Sequence, residues 1–257
     1  MSARKPVVLV TGASKGIGLA VTKLLLQKFN ANVVALARTQ TADLSALSSN
    51  SLLFIGCDVA NEAQLTASIA KAKESFNYLD GLVLNAAILD PMTRIGDNTP
   101  ISEWKKHFDV NFFSLVTAIN SSLPSLRESE FGGKVVFVSS GAAEKGAAGW
   151  GPYNASKAAM NSLCRTLAQE EPDVVSVAVR PGMVDTNMQD RVRAEGGSHM
   201  SQSAHELFLR VHAEGKLVKP EDCGHVITAL SLRAPKELSG RFVSWDSEEC
   251  RPFRKEQ

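Results

Sequence analysis

The chain has 257 residues, 44% of them apolar, and a formal charge of +1 at pH 7. That length and apolar share supply the interior of one large α/β domain or two small ones, and the near-neutral charge offers no broad basic surface to a nucleic acid. No run approaches the ~20 apolar residues of a membrane span, and four scattered cysteines without a C-x-x-C pair read as reduced thiols of a cytoplasmic protein.

Apolar runs alternate with helical periods along the chain. The first strand is expected at 7–11 and the first helix at 16–29, with Thr11-Gly12-Ala13-Ser14-Lys15-Gly16-Ile17-Gly18 between them. Glycines at such a junction permit a tight turn and bring a phosphate close to the free N–H groups of the helix start. Further strands are expected at 32–37, 52–57, 79–85, 134–139, 174–180 and 241–245. Several are apolar without alternation, as strands buried on both faces are. Further helices are expected at 62–76, 102–126, 152–171 and 221–232. The alternation predicts an α/β fold in a single domain, residues 1–257: a doubly wound (Rossmann) parallel sheet of seven strands with helices on both faces. Ligands of such sheets bind beyond the carboxyl ends of the strands. Two irregular segments fall at that edge. Residues 90–99 are expected to form a loop, and 185–214 a substrate lid with Gly196-Gly197 as its hinge and a helix from about 203.

Tyr153 and Lys157 lie four apart in the expected helix 152–171, hence on one face. An ammonium beside a phenol favours the phenolate and lowers its pKa from ~10. Ser139-Ser140 end the preceding strand. Tyr-x-x-x-Lys alone is common on solvated helix faces. A phosphate cradle, a hydroxyl at a strand end and a Tyr/Lys helix together point to hydride chemistry. The five histidines have no metal-binding spacing, and no metal is expected.

The motifs T-G-A-S-K-G-I-G, N-A-A, S-S and Y-x-x-x-K occur in an order and spacing that resemble the short-chain dehydrogenase/reductase family from Val7 to about Trp245. Within it, 109–114 and 136–141 look most like the fungal benzil-reductase and sepiapterin-reductase-type carbonyl reductases. The resemblance implies Tyr153 as general acid, Lys157 as ribose ligand and proton relay, Ser140 as the polarising hydroxyl, and Asn111 as the residue that orders a water near the lysine. Ser140 is preferred to Ser139 because its spacing to Tyr153 matches the family's, and strand alternation sends the two hydroxyls to opposite sides. For the cofactor it implies Gly12, Ser14, Gly16, Ile17 and Gly18 at the pyrophosphate, Asp58-Val59 beside adenine, and Asn85-Ala86-Ala87 along the dinucleotide. Pro181, Gly182, Val184 and Thr186 are implied near the nicotinamide. For Asp58 a helix N-cap is the competing reading.

An NAD enzyme generally carries an acid at the end of the second strand. Here 32–42 contains none; Arg38, with Thr39 beside it and Lys15 in the glycine turn, is available for a 2′-phosphate, so NADP(H) is the expected cofactor. Leu89, Trp150, Met183 and Met188 are candidate substrate walls. The expected activity is NADPH-dependent reduction of a ketone or diketone by a homodimer or homotetramer. A secondary-alcohol dehydrogenase or 3-oxoacyl-thioester reductase of the same family, or an NADP-binding regulator, are the alternatives.

Overall fold

The computed structural model describes residues 4–255. Seven strands, β1 (Val7–Thr11), β2 (Asn32–Ala37), β3 (Leu52–Gly56), β4 (Gly81–Leu84), β5 (Lys134–Val138), β6 (Val175–Arg180) and β7 (Phe242–Ser244), form one sheet. Its order is β3-β2-β1-β4-β5-β6-β7, and every pairing is parallel. The strands are shorter than the apolar runs by up to two residues at an end. Their last residues leave the ladder to enter the loops that carry ligands.

Alternation along the strands separates two cores. Val7 and Leu9 of β1 face a layer built by α3 (Glu62–Phe76), α5 (Ser114–Arg127) and α6 (Gly151–Glu170), through Leu65, Leu115 and Met160 among others. Val8 and Val10 face α1 (Gly16–Gln27) and α9 (Pro220–Arg233), through Val21, Leu25, Val226 and Leu230. Both faces are buried, so the strands read as continuous apolar runs. The order reverses between β1 and β4, which opens a crevice at the carboxyl ends of these strands.

Two features depart from the sequence reading. A short α2 (Ala42–Ser45), capped by the Thr41 hydroxyl, follows β2. The expected helix 102–126 is α4 (Ile101–Phe108) and α5 joined by a π turn at Asp109–Phe113. Such a turn inserts one residue into the winding, and here its place is fixed by contacts distant in sequence, which the local pattern does not show. In the segment 185–214 the helix expected from about 203 is α8 (Gln202–Ala213), preceded by α7 (Asn187–Glu195).

Candidate active site

The turn between β1 and α1 is built to leave its N–H groups free. Lys15, at the N-cap of α1, makes no side-chain capping bond, and the first turn holds no acid. A helix start with neither feature suits an anion. Gly12 and Gly16 have φ of +66° and +54°, and a Cβ on Gly18 would lie 2.2 Å from the Gly12 carbonyl. The turn is therefore too tight for side chains at its glycines. Asn85 stitches it to β4: its Nδ2 donates to Thr11 O (2.9 Å) and Gly12 O (3.2 Å). The Thr11 hydroxyl accepts from Asn85 N and Ala86 N at 3.0 Å each. Thr41, which the sequence reading did not single out, donates to Ser14 O (2.9 Å) and ties the end of β2 to the turn.

Arg38, Thr39 and Lys15 are exposed. Among the described residues neither cation makes an ion pair. Thr186 closes the other side of the cradle, its Cγ2 3.0 Å from where a Gly16 Cβ would stand. Pro181 and Val184 are buried behind it and Gly182 is exposed. Val184 pairs with Val218 in a β-bridge. Asp58 does not cap α3; that is Asn61, whose Oδ1 accepts from Gln64 N (3.0 Å). The Asp58 carboxylate instead accepts from Ala60 N (3.1 Å) in a local turn, and Val59 packs into the core. Ala87 is half-buried after β4. A donor-rich glycine turn at a helix start with no acid in its first turn fits a dinucleotide's phosphates.

Beyond β5 and at the start of α6 the candidate chemical groups converge. Ser139 and Ser140 part as alternation demands. Ser139 is buried and donates to Asn161 Oδ1 (2.6 Å), whereas Ser140 accepts from Ala142 N (3.1 Å) and lies beside the Tyr153 hydroxyl. Lys157 is 1% exposed, its Nζ donating to Val138 O (2.7 Å) and lying 5.7 Å from the Tyr153 ring centre. Burial pushes Lys157 down from 10.5 to about 7. Burial also pushes Tyr153 above its ordinary value, and Ser140 draws it the other way. This corrects the expectation that the ammonium lowers the phenol: desolvation dominates both groups, and the lysine is itself partly neutral near pH 7.

Asn111 sits in the π turn and is fully buried. Its Oδ1 accepts from Ile88 N and its Nδ2 donates to Ile88 O, both at 2.9 Å. The same Nδ2 lies 2.9 Å from His107 Nε2. His107 is also fully buried, and burial, then the Lys157 charge, lower its pKa against the Asp90 carbonyl and charge. The sequence reading tested the histidines for metal spacing and missed His107, although it stands four residues before Asn111.

Tyr153 belongs to a third apolar cluster with Leu89, Met92, Trp150, Val192 and Met200, against which Met188 and Phe208 pack. Trp150 lies edge-on to Tyr153 (5.6 Å) and 5.5 Å from Phe208 of α8. Leu89, Trp150 and Met188 are thus brought together. Met183 lies outside this cluster, its carbonyl accepting from Val218 N (2.8 Å). Met92 and Met200 come from irregular segments, where no period marks them; Phe208 stands in α8 on the apolar face it shares with Ala204. Arg191 of α7 grips the Asp90 carboxylate (Nη2–Oδ1 2.7 Å) and Arg94 Nε donates to His199 O (3.1 Å). These contacts hold 187–213 over the cluster. Gly196 serves close approach there, since a Cβ would lie 2.9 Å from Met200 Sδ and 3.2 Å from the His205 ring. A separate groove of about 420 Å³ between α3 and α5, lined by Val59, Asp109, Phe113 and Thr117, contains none of Ser140, Tyr153 or Lys157.

Known proteins share this architecture and its sequence. An uncharacterised oxidoreductase of Schizosaccharomyces pombe is 41% identical over 94% of this chain and 96% of its own length. A benzil reductase ((S)-benzoin forming) of Saccharomyces cerevisiae is 35% identical over 96% of this chain and 98% of its own. The crystal structure of a Saccharomyces cerevisiae short chain dehydrogenase/reductase superposes with a TM-score of 0.92 at 32% identity, covering 97% of this chain and all of that one. The family model described as short chain dehydrogenase matches residues 6–197, glycine turn and Tyr/Lys helix included. On that match, and on relatives of this identity along nearly the whole length, the chain belongs to the short-chain dehydrogenase family and is an oxidoreductase.

Proposed function

We propose that the chain reduces a ketone or diketone carbonyl to an alcohol with NADPH. The observation that carries this reading is the meeting of Ser140, Tyr153 and Lys157 at one edge of an aromatic and thioether-lined cluster. Bound NADPH would supply the hydride. Ser140 would polarise the carbonyl by hydrogen bonding to its oxygen. Tyr153, kept protonated at neutral pH by burial, would give that oxygen its proton. Lys157, titrating at about 7, is matched to return a proton to the phenolate at neutral pH. Leu89, Trp150 and Met188, with Met92, Met200 and Phe208, would bound the substrate; such walls suit aryl groups. The yeast benzil reductase relative supports a carbonyl substrate of that kind. A homodimer or homotetramer is part of the proposal; Phe113, 53% exposed at the end of the π turn, is an apolar residue that association would cover.

The cofactor preference rests on Arg38 and Lys15. A guanidinium engages a phosphate through two parallel hydrogen bonds. Charge-assisted bonds contribute roughly 1.5–3 kcal/mol each, so a preference for NADPH of about a hundredfold is expected after solvent screening. The test is oxidation of NADPH and of NADH with benzil and a panel of ketones, by the wild type and by Arg38→Ala. The variant should lose NADPH efficiency and keep its NADH efficiency. Equal use of both cofactors by the wild type sinks the NADPH assignment, and no turnover of any carbonyl sinks the reductase reading.

A further inference from the structure

The hydrogen bonds behind Tyr153 can be counted to the last proton. The two Ile88 backbone contacts fix which end of the Asn111 amide is which: the backbone N–H requires the oxygen and the carbonyl requires the NH₂. One amide proton remains; His107 Nε2 is its nearest partner at 2.9 Å, and Ser156 Oγ lies at the long limit of 3.5 Å. For the short contact to be a hydrogen bond, that nitrogen accepts. The other ring nitrogen, Nδ1, lies 2.5 Å from the Asp90 carbonyl and must donate. Ser156 Oγ, 3.0 Å from Nε2, has the Tyr153 carbonyl at 3.0 Å as an alternative acceptor, so it imposes no other tautomer. The ring stands edge-on to Tyr153, 6.2 Å between centres.

Resting on the reductase reading above, we infer that His107 is a positioning residue of this site: as the neutral Nδ1–H tautomer it supplies the acceptor that holds the last amide proton of Asn111 and fixes the π turn against α6 beside Lys157. The contact does more than fill space. Asn111 pins Ile88, which stands between Ala87 at the cofactor crevice and Leu89 in the substrate cluster. Without the acceptor, a fully buried amide N–H is left with only the long Ser156 contact, and the two Ile88 bonds alone hold the amide. Asp90 ties both ends of the arrangement, its carbonyl on His107 and its carboxylate on Arg191 of α7.

Asparagine and glutamine separate the two halves of the ring. Asparagine reaches the place of Nδ1 and keeps the Asp90 contact; glutamine reaches the place of Nε2 and can offer Oε1 to Asn111. His107→Leu and His107→Asn should lower kcat by about tenfold to a hundredfold, the cost of a misplaced site. Their KM for NADPH should stay within about threefold of wild type. His107→Gln should retain most of kcat. Equal losses in all three variants, or a loss confined to KM, overturn the inference. A second arm needs no activity. Long-range ¹H–¹⁵N correlation spectra of histidine-labelled wild type at pH 7 should contain one neutral Nδ1–H ring that is absent from His107→Gln. A protonated or Nε2–H ring at His107 overturns the assignment, whatever the protein reduces. Absence of carbonyl reduction with the expected tautomer present would instead refute the reductase reading.

Discussion

Lys157 is the group whose perturbation is most quantitative. It is 1% exposed, and burial brings it from 10.5 to about 7. In the unfolded chain it returns to its ordinary value, so burying it opposes folding. The difference corresponds to about 5 kcal/mol, present in full below pH 7 and relieved as the pH rises toward 10.5. Between those values the unfolded chain binds more protons, and stability therefore increases with pH. From pH 7 to pH 8 the gain is about 1 kcal/mol. At higher pH the thiols act in the opposite sense: burial raises Cys57, Cys164, Cys223 and Cys250, so the unfolded chain releases those protons first. The informative window is pH 7 to 8. Lys157→Met preserves length and removes the charge. It also removes the 2.7 Å bond to Val138 O, and leaving that carbonyl unpaired costs about 1–3 kcal/mol. The variant should still be the more stable protein at pH 7. The assay is urea unfolding of nucleotide-free protein at both pH values, with equal m-values as the condition for comparison. Wild type minus variant should change by about 1 kcal/mol in favour of the wild type between pH 7 and 8: His107, the group whose titration the Lys157 charge alters, is held down by burial in both proteins, and the remaining titrations are common. Parallel curves would refute the claim that this lysine sheds its charge near neutrality.

Tyr153→Phe removes only the hydroxyl, so kcat should fall by about 10²–10⁴ while the dissociation constant for NADPH, read by fluorescence titration, is nearly unchanged; turnover within about tenfold of wild type would contradict the general-acid role. Arg191→Ala releases α7 from Asp90; because both partners are largely exposed, stability should change by less than about 1 kcal/mol, whereas KM across a carbonyl panel should shift several-fold, and an unchanged substrate profile would demote 187–213 to a surface element. Arg4 binds Asp80 through two nitrogens (2.7 and 2.8 Å) and lies over the Tyr78 ring at 4.0 Å, so Arg4→Ala should cost about 3 kcal/mol in urea unfolding by stranding a buried carboxylate. Burial alone would raise Asp80, but bonds from Arg4, Ser129 and Val7 N–H outweigh it and hold the group below its ordinary value, so that stability is expected above the normal carboxylate pKa and lost as pH falls through the depressed one.

The seven strands and their order of appearance were legible because a parallel sheet covered on both faces demands long apolar runs, and Val7–Thr11 and Asn32–Ala37 supply them to the residue. The chemical groups were legible because their spacing is local: Tyr153 and Lys157 share one helix, and Ser139 and Ser140 differ by one strand position. What stayed hidden depends on distant contacts. The π turn around Asn111 is held by Ile88, 23 residues earlier. Met92, Met200 and Phe208 meet Trp150 only after α7 and α8 fold back over it. Asp58 was open between two local roles, and the neighbouring Asn61 holds the cap. Burial, which no residue pair announces, moves Tyr153 up where the sequence suggested down.

The crevice and the amino ends of the strands handle charged and polar groups differently. At the amino ends of the strands the buried carboxylate of Asp80 is matched by Arg4, Ser129 and the Val7 N–H. Such a network stabilises a fold and leaves nothing over for a ligand. At the carboxyl ends several groups are left unmatched. The start of α1 has no cap, and Arg38 and Lys15 have no ion pair among the described residues. Trp150 Nε1, Asn154 Oδ1 and Gln189 Oε1 are buried without a partner. Each unpaired buried polar atom costs roughly 1–3 kcal/mol. Ser122 in α5, Thr228 in α9 and Ser247 and Arg254 near the C-terminus carry such atoms too, away from the crevice, but Trp150, Asn154 and Gln189 place three of them where the Tyr/Lys helix meets the 187–213 segment. The unmatched groups run from the glycine turn to Trp150, along the crevice in which the proposed cofactor and substrate would lie.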